Sequence, residues 1–395
     1  MIFLYIDPGT GSLIITSLVA LFISLKNFLL NVYYKLISFF STKKNKLKND
    51  FSGKLVFFSE GKKYWLVFKP VLDNLNKKKI PFIYLTADSS DPGLKLNSSY
   101  YLGNMNSAIH FLNNLKAKVL VCTTPQLDIL QWKRSKNVKH YCYINHSPVD
   151  IHSYKKFAFD HFDSILCTSS FQIKNLNYLE KSRGSKCKVL LETGCTYYDE
   201  IFEKKINNRY NEFILIAPTW GDRSFLLKYG YSIIKTLINN NYKIIFRPHP
   251  QSWISDLDSL NIIIKKFKNY KNFLVDKEIN SEESTSKSKV LITDISSGIV
   301  HDIIFLNNLP VLAIDFSWDD GGYESSSLNS KSSSSYLIND FGKILKEEDL
   351  ESIVEIIEKS KSFIINEKTI NKHVFNFKNS GYIASNQIMK IYNSI

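Results

Sequence analysis

Short runs of unbroken apolar residues, each followed by a helix-length stretch, recur along the chain and leave few folds open. KLVFFSE (54–60), PFIYLTA (81–87), KVLVCTT (118–124), HYCYINH (140–146) and SILCTSS (164–170) read as strands, and KVLLETGCTYYDE (188–200) closes the series. Helical stretches near 63–77 and 106–116, and one after 170, lie between them. A second series starts after the polar linker FEKKINNRYN (202–211): EFILIAPTW (212–220), KIIFRPHP (243–250), NFLVD (272–276), KVLITD (289–294) and PVLAID (310–315). Its helices fall near 224–240, 253–268 and 298–307. Strands that are apolar throughout are covered on both faces, as in a parallel sheet between helices. The expected class is α/β, with two Rossmann-like, doubly wound domains at residues 51–205 and 206–395. Such sheets bind ligands outside the carboxyl ends of their strands, so two of them place a cleft between two sets of strand ends.

One of those ends is unusual. After the strand at 243–246 the chain reads Arg247-Pro248-His249-Pro250. Proline fixes its own φ and biases the residue before it towards extended conformations, so His249 has little backbone freedom. It reads either as a tight loop with an incidental histidine or as an imidazole held for a ligand. The neighbouring strand ends bear on the choice. Thr219, Asp222 and Arg223 follow the strand at 212–217, and Thr293-Asp294-Ile295-Ser296-Ser297-Gly298 follows the strand at 289–292 and opens a helix. In the first half, Asn145-His146-Ser147-Pro148 follows a strand. Serines and a glycine at a helix start offer backbone N–H groups, hydroxyls and the positive end of the helix dipole, which suits a phosphate; the same residues also make an ordinary N-cap. Asp294 either holds the turn or accepts from a substrate hydroxyl. His146 and His249 lie in different halves and both face the expected cleft, where an imidazole can take a proton or, when charged, stabilise a phosphate.

Composition narrows the partners. The net charge of +14 points to anions: a membrane surface, a phosphorylated substrate or nucleic acid. Lysine supplies nearly all of it, the arginines being Arg134, Arg183, Arg209, Arg223 and Arg247. Base readout favours arginine, which argues against sequence-specific nucleic-acid binding. Neither GxGxxG nor GxxxxGK[ST] occurs, so no dinucleotide or P-loop fingerprint is present. Asp319-Asp320 sits in a polar loop and makes a poor metal site. Five cysteines without CxxC spacing read as reduced structural thiols. At the N-terminus, residues 9–40 are rich in apolar residues and carry no charge apart from Lys26 and Lys35, and Lys43, Lys44, Lys46 and Lys48 follow. Residues 1–50 are expected to be a membrane-associating helix with a basic linker, either a signal anchor or an in-plane amphipathic helix.

APTWGDRSF, FRPHPQ and LITDISSGIVHDIIFLNNLPVLAID, in this order and spacing, resemble the CDP-glycerol:poly(glycerophosphate) glycerophosphotransferases of teichoic-acid and capsule synthesis. FFSEGKKYWLVFKPVL and INHSPVDIHSYKKFAFDHFDSILC are similar to N-terminal segments of a membrane-anchored branch of that family. The resemblance covers residues 54–320. It implies the GT-B arrangement of two Rossmann-like domains, with the acceptor on the first and the CDP donor on the second. It also implies no cofactor and no obligatory metal site, the CDP-activated polyol phosphate being the donor substrate. The family's two essential histidines fall on His146 and His249, its phosphate-binding helix start on Ser296 and Ser297, and the arginine after APTW on Arg223. Where the family usually has an HG-type loop, Ser147-Pro148 follow His146 here. The function expected is transfer of glycerol phosphate or a related polyol phosphate from CDP-glycerol, or a related CDP-polyol, to an anionic polymer or lipid-linked acceptor. The expected location is the cytoplasmic face of the cell membrane. Catalysis is assigned to His146 and His249, donor phosphate binding to Arg223, Arg247, Ser296, Ser297 and Gly298, and supporting roles to Thr219 and Asp294. A nucleotide-sugar glycosyltransferase on the same fold, or a non-catalytic polyanion- or membrane-binding protein, would use the same charge and fold differently.

Overall fold

The computed structural model describes Leu25 and residues 50–149, 151–202, 212–278, 281–361, 363 and 365–395. The expected membrane helix and most of the linker at 202–211 lie outside the described residues. Strands β1 (Asp50–Ser59), β2 (Ile83–Thr86), β3 (Ser99–Tyr101), β4 (Lys116–Cys122), β5 (Val138–Ile144), β6 (Ser164–Cys167) and β7 (Val189–Glu192) make one parallel sheet in the order 3-2-1-4-5-6-7. Strands β8 (Phe213–Ile216), β9 (Lys243–Phe246), β10 (Phe273–Val275), β11 (Ser288–Asp294), β12 (Val311–Ile314) and β13 (Gly342–Leu345) make a second, in the order 10-9-8-11-12-13. Both are doubly wound, and the chain reverses direction across each sheet beside its first strand. These reversals lie between β1 and β4 and between β8 and β11, which is where such sheets bind ligands.

The period of two in each strand explains why the apolar runs are unbroken. Val56 and Phe58 enter a core with Leu85, Leu120 and Trp132, whereas Leu55 and Phe57 enter another with Val67, Phe68 and Leu72. In β8, Ile214 and Ile216 face one core and Leu215 the other. Over residues 55–58 of β1 and 214–216 of β8 neither face meets water, and every side chain there is apolar.

Three features depart from the sequence reading. The short edge strand β3 breaks the long connection before 106, and the helix near 253–268 is two pieces, Ser252–Ser255 and Leu257–Phe267. More consequentially, the last helix, Ser380–Ser394, was expected with the second half but packs on the first. Ala384, Ile388 and Ile391 join Val67, Phe68 and Val71 of the helix Trp65–Lys77. Asp199 accepts from the backbone N–H groups of Ser380 (3.2 Å) and Gly381 (2.7 Å) and fixes the helix start. The chain therefore crosses between the halves twice, side by side. At Gly194, whose φ is +90°, an added Cβ would stand 2.0 Å from the carbonyl oxygen of Phe375 on the returning segment. Only glycine fits there.

The halves are also joined beside the cleft. Glu324 of the second half is fully buried and accepts from the Ala158 N–H (3.2 Å) and from both terminal nitrogens of Arg183, which also reaches Asp160 at 2.8 Å. The backbone of Glu324 donates to the Tyr154 carbonyl (2.8 Å), Lys156 donates to Gly322 (3.1 Å), and the Lys155 ammonium lies 3.7 Å from the centre of the Tyr323 ring.

Because Ile388 is fully buried among first-half residues, Ile388→Ala should lower stability by about 2–5 kcal/mol. Hydrogen exchange should place the loss in β1, β4 and the helix Trp65–Lys77. A loss confined to β8–β13 would contradict the assignment of this helix to the first core.

Candidate active site

The carboxyl ends of β5, β8, β9 and β11 converge. Asn145 after β5 is buried and anchors its loop by donating to the Leu166 carbonyl on β6 (2.9 Å), which fixes His146. The His146 ring is half-buried, set edge-on to Tyr64 (ring centres 5.3 Å apart) and Tyr154 (6.2 Å), and its Nδ1 is buried with no hydrogen-bond partner. Withdrawal from water, then the Lys63 ammonium and His249, hold its pKa down at about 4. His249 stands on the facing loop, with its ring accessible in the cleft and 6.3 Å from the Trp220 ring. Its Nδ1 accepts from the Gln251 N–H at 3.0 Å, so the neutral ring carries its proton on Nε2 and presents a donor. The surrounding cleft walls, then Arg223 and Lys63, push its pKa down to about 4 as well. Both imidazoles are neutral at pH 7, and Lys63 acts on both from the end of β1.

Asp294 at the end of β11 organises the donor-side loop. It is buried, and its two oxygens accept from the backbone N–H groups of Thr219 and Phe225, each at 2.6 Å. Burial raises its pKa to about 7 in spite of these donors. The Thr293 hydroxyl adds a bond to the Ala217 carbonyl (2.6 Å), and the Gly221 N–H donates to Asp256 (3.0 Å). The loop 217–225 is thus pinned at both ends, and Asp294 is structural. The backbone N–H of Thr219 serves this pin.

Arg223 is delivered by that loop into a buried position. One Nη donates to the Ser153 carbonyl of the first half (3.1 Å), and the guanidinium lies over Trp220 (5.4 Å) and Tyr323 (4.9 Å). Its Nε is buried and has no partner. Arg247, expected beside it, points elsewhere: it pairs with Asp276 at the end of β10 (2.5 Å), and its backbone N–H continues the ladder to Ile216 (2.8 Å). Through that pair it anchors the Pro248-His249-Pro250 loop, and its charge also helps to hold the His249 pKa down.

The Ser296-Ser297-Gly298 turn precedes a helix that starts at Ile299 and runs into a wider turn at Ile303–Asn307. No side-chain bond caps this helix, so the hydroxyls of Ser296 and Ser297 are not consumed by capping. The turn meets the first half directly. A Cβ on Gly298 would lie 3.6 Å from Val149 and 3.7 Å from the Ser147 hydroxyl, and the Ser153 hydroxyl donates to the Ser296 carbonyl (3.4 Å). A cavity of about 390 Å³ opens beside Arg223 and Ser296, bounded also by His152, Asp315, Trp318 and Lys331. Asp319 accepts from the Gly321 N–H (2.9 Å), a turn contact.

The structure thus gathers His146, His249, Arg223 and the Ser296–Gly298 turn about one cleft, with Asp294 and Thr219 tied together in its wall and Arg247 paired to Asp276 at the base of the His249 loop. Sequence reasoning missed Lys63, Tyr64, Ser153 and Tyr323 as members of the same cleft. Lys63 follows β1 at the reversal point of the first sheet, the one signal that could have found it.

Asp294→Asn turns an amide N–H towards one of two buried backbone donors. A loss of about 1–3 kcal/mol in stability is expected, measured by denaturant unfolding. Unchanged stability would remove Asp294 from its place as the pin of the loop.

Among solved structures, a variant of the wall teichoic acid polymerase TagF is similar at a TM-score of 0.52 and 15% identity, covering 94% of this chain and 96% of that one. MnaA of S. aureus, in a co-structure with UDP, gives 0.55 at 13% identity over 86% of this chain and 97% of that one. UDP-GlcNAc 2-epimerase from Methanocaldococcus jannaschii, in complex with UDP-GlcNAc and UDP, gives 0.54 at 13% over 87% and 100%. At these identities the likeness shows the two-domain, GT-B-like fold alone. No curated protein matches the sequence. The CDP-glycerol:poly(glycerophosphate) glycerophosphotransferase family matches residues 22–362, nearly the whole of both sheets, and the chain belongs to that family.

Proposed function

We propose that the protein transfers glycerol phosphate, or a related polyol phosphate, from a CDP-activated donor to a hydroxyl of a cell-surface polymer acceptor, releasing CMP. The observation that carries this reading is the pair of neutral histidines set across the cleft from each other under the field of Lys63 and Arg223. In this reading the donor's pyrophosphate lies against Arg223, the Ser296-Ser297-Gly298 turn and the Nε2–H of His249, and the nucleoside occupies the adjoining cavity. The acceptor oxygen attacks the β-phosphorus as the bond from that phosphorus to the α-phosphate oxygen breaks. CMP leaves with the bonding electrons, and the acceptor's proton passes to His146. Preorganised donors aimed at developing charge make the larger contribution to such a step. The acceptor is an anionic polymer or a lipid-linked chain, reached at the cytoplasmic face of the cell membrane, where residues 1–50 hold the protein.

The His146 imidazole, with a pKa near 4, is a weak base in the free protein. An arriving pyrophosphate brings negative charge beside His249 and favours the protonated form of that ring, while His146, on the acceptor side, stays neutral to take the acceptor's proton. Donor binding then takes up protons. The donor Kd is expected to fall as the pH is lowered through 6 towards 4, the free-state pKa of His249, and His249→Ala should flatten that dependence. A Kd that rises with acidification would contradict the role of His249 at the phosphates.

Incubation with CDP-glycerol, CDP-ribitol, UDP-sugars and CMP-sugars tests the reaction class. Turnover confined to CDP-polyols is expected, and sugar transfer, or no turnover with any donor, would overturn the reading. His146→Ala should lower turnover about a hundredfold to ten-thousandfold with CDP-glycerol binding retained, whereas His249→Ala should weaken both. A folded His146→Ala enzyme with near-normal turnover would end the base assignment.

A further inference from the structure

The helix Leu257–Phe267 and the edge strand β10 present a surface that the cleft chemistry does not explain. Ile254 and Ile262, 77% and 65% exposed, are the most exposed large apolar side chains among the described residues. Leu257, Tyr270 and Leu274 are each nearly half exposed on the same stretch. Around them stand the exposed lysines Lys265, Lys266, Lys268, Lys271 and Lys277, none of them in an ion pair within the described residues. Lys277 lies over the Trp253 ring at 4.6 Å. The exposed carboxylates of the stretch are Asp258 and Glu278; Asp256 is engaged by Gly221 and Asp276 by Arg247.

We infer that this face docks on an anionic lipid bilayer and sets the mouth of the cleft against the membrane. Isoleucine and leucine side chains ringed by unpaired lysines, with tyrosine at the margin, match the chemistry of an interfacial contact. The apolar groups enter the acyl boundary, the lysine stems lie along it, and the ammonium groups meet lipid phosphates. A soluble polyanion would use the lysines but gain nothing from isoleucines held in water. Protein interfaces, by contrast, are depleted in lysine. The position has a consequence for the site: Ile254 follows His249 by five residues, so docking carries the His249 loop to the bilayer surface. The contact is separate from residues 1–50 and rests on the second half of the chain. It does not depend on which donor the cleft takes.

The test is a lysine footprint of the full chain: acetylation by a water-soluble reagent, read by mass spectrometry, with phosphatidylglycerol vesicles, phosphatidylcholine vesicles or soluble polyphosphate. Several-fold shielding of Lys265, Lys266, Lys268 and Lys271 is expected with phosphatidylglycerol alone, while Lys136 and Lys361 on other surfaces stay reactive. Ile254→Ser/Ile262→Ser should abolish the shielding and leave CDP-glycerol turnover with a short soluble acceptor unchanged. Lys265→Gln/Lys266→Gln should weaken it, roughly fivefold in local affinity per lysine removed. The inference is overturned if these lysines stay fully reactive with vesicles present, whether or not the chain co-sediments with them. Shielding that polyphosphate reproduces, or that survives removal of both isoleucines, also overturns it and marks the face as a polyanion track.

Discussion

The relative placement of the two halves depends on one buried carboxylate. Glu324 has no exposure to solvent, and Arg183 and the Ala158 N–H supply its hydrogen bonds from the other half. A carboxylate stripped of water is stable only while such partners surround it. Glu324 therefore fixes the distance between the segment after β5 and the segment after β12. Through Tyr154 and Ser153 the same segment reaches His146 and Arg223, so the register of the cleft follows from this pair. Away from it, the chain crosses between the halves at Gly194 and Phe375, packed too closely for any side chain at Gly194. The cleft is bounded by a charged latch and by a doubled backbone crossing.

Within that frame positive charge faces the two histidines, and the carboxylates of Asp294 and Asp315 stand in the lining of the adjoining cavity. Lys63 acts on both rings and Arg223 on His249, and Asp294, in the lining of the cavity beside Arg223, gives its oxygens to the backbone donors of Thr219 and Phe225. The imidazoles respond by staying neutral, the cheapest protonation state for a ring that is partly withdrawn from water and faces cations.

How much of this was legible in the sequence varies with the range of the interaction. Strand positions and their ligand-bearing ends follow from local apolar runs and the parallel-sheet rule, and His249 was marked by the prolines on either side of it. The pairing of Arg247 was not legible, because its partner, Asp276, comes from a different strand end. Nothing near Arg247 in sequence distinguishes a loop anchor from a phosphate ligand. The last helix was misassigned for a similar reason: its apolar face fits either sheet, and only the N-terminal contacts at Asp199 and the packing on Val67 and Phe68 decide between them. Ser297 shows the reverse case. Its sequence suits an N-cap, yet the fold starts the helix later and leaves its hydroxyl outside the capping pattern.

Buried polar atoms without partners are uncommon in folded proteins, because each costs about 1–3 kcal/mol relative to a hydrogen-bonded one. Among the described residues several of them converge on this cleft: Nδ1 of His146, Nε of Arg223, Oδ1 of Asn145 and the hydroxyls of Ser325 and Ser334. Ser325, Ser334 and Arg223 line the same cavity, so three of these groups face one space, with those of Asn145 and His146 in the facing loop. The rigid features around that space keep the groups from collapsing onto each other: two prolines about His249, the Asp294 pin and the Glu324 latch. A ligand that met them would gain interactions without the entropic cost of ordering the loops, which is the physical content of preorganisation. The same rigidity explains why the wall around the cleft is built from strand ends and short turns. A flexible loop in any of these positions would relax until its polar groups bonded to one another.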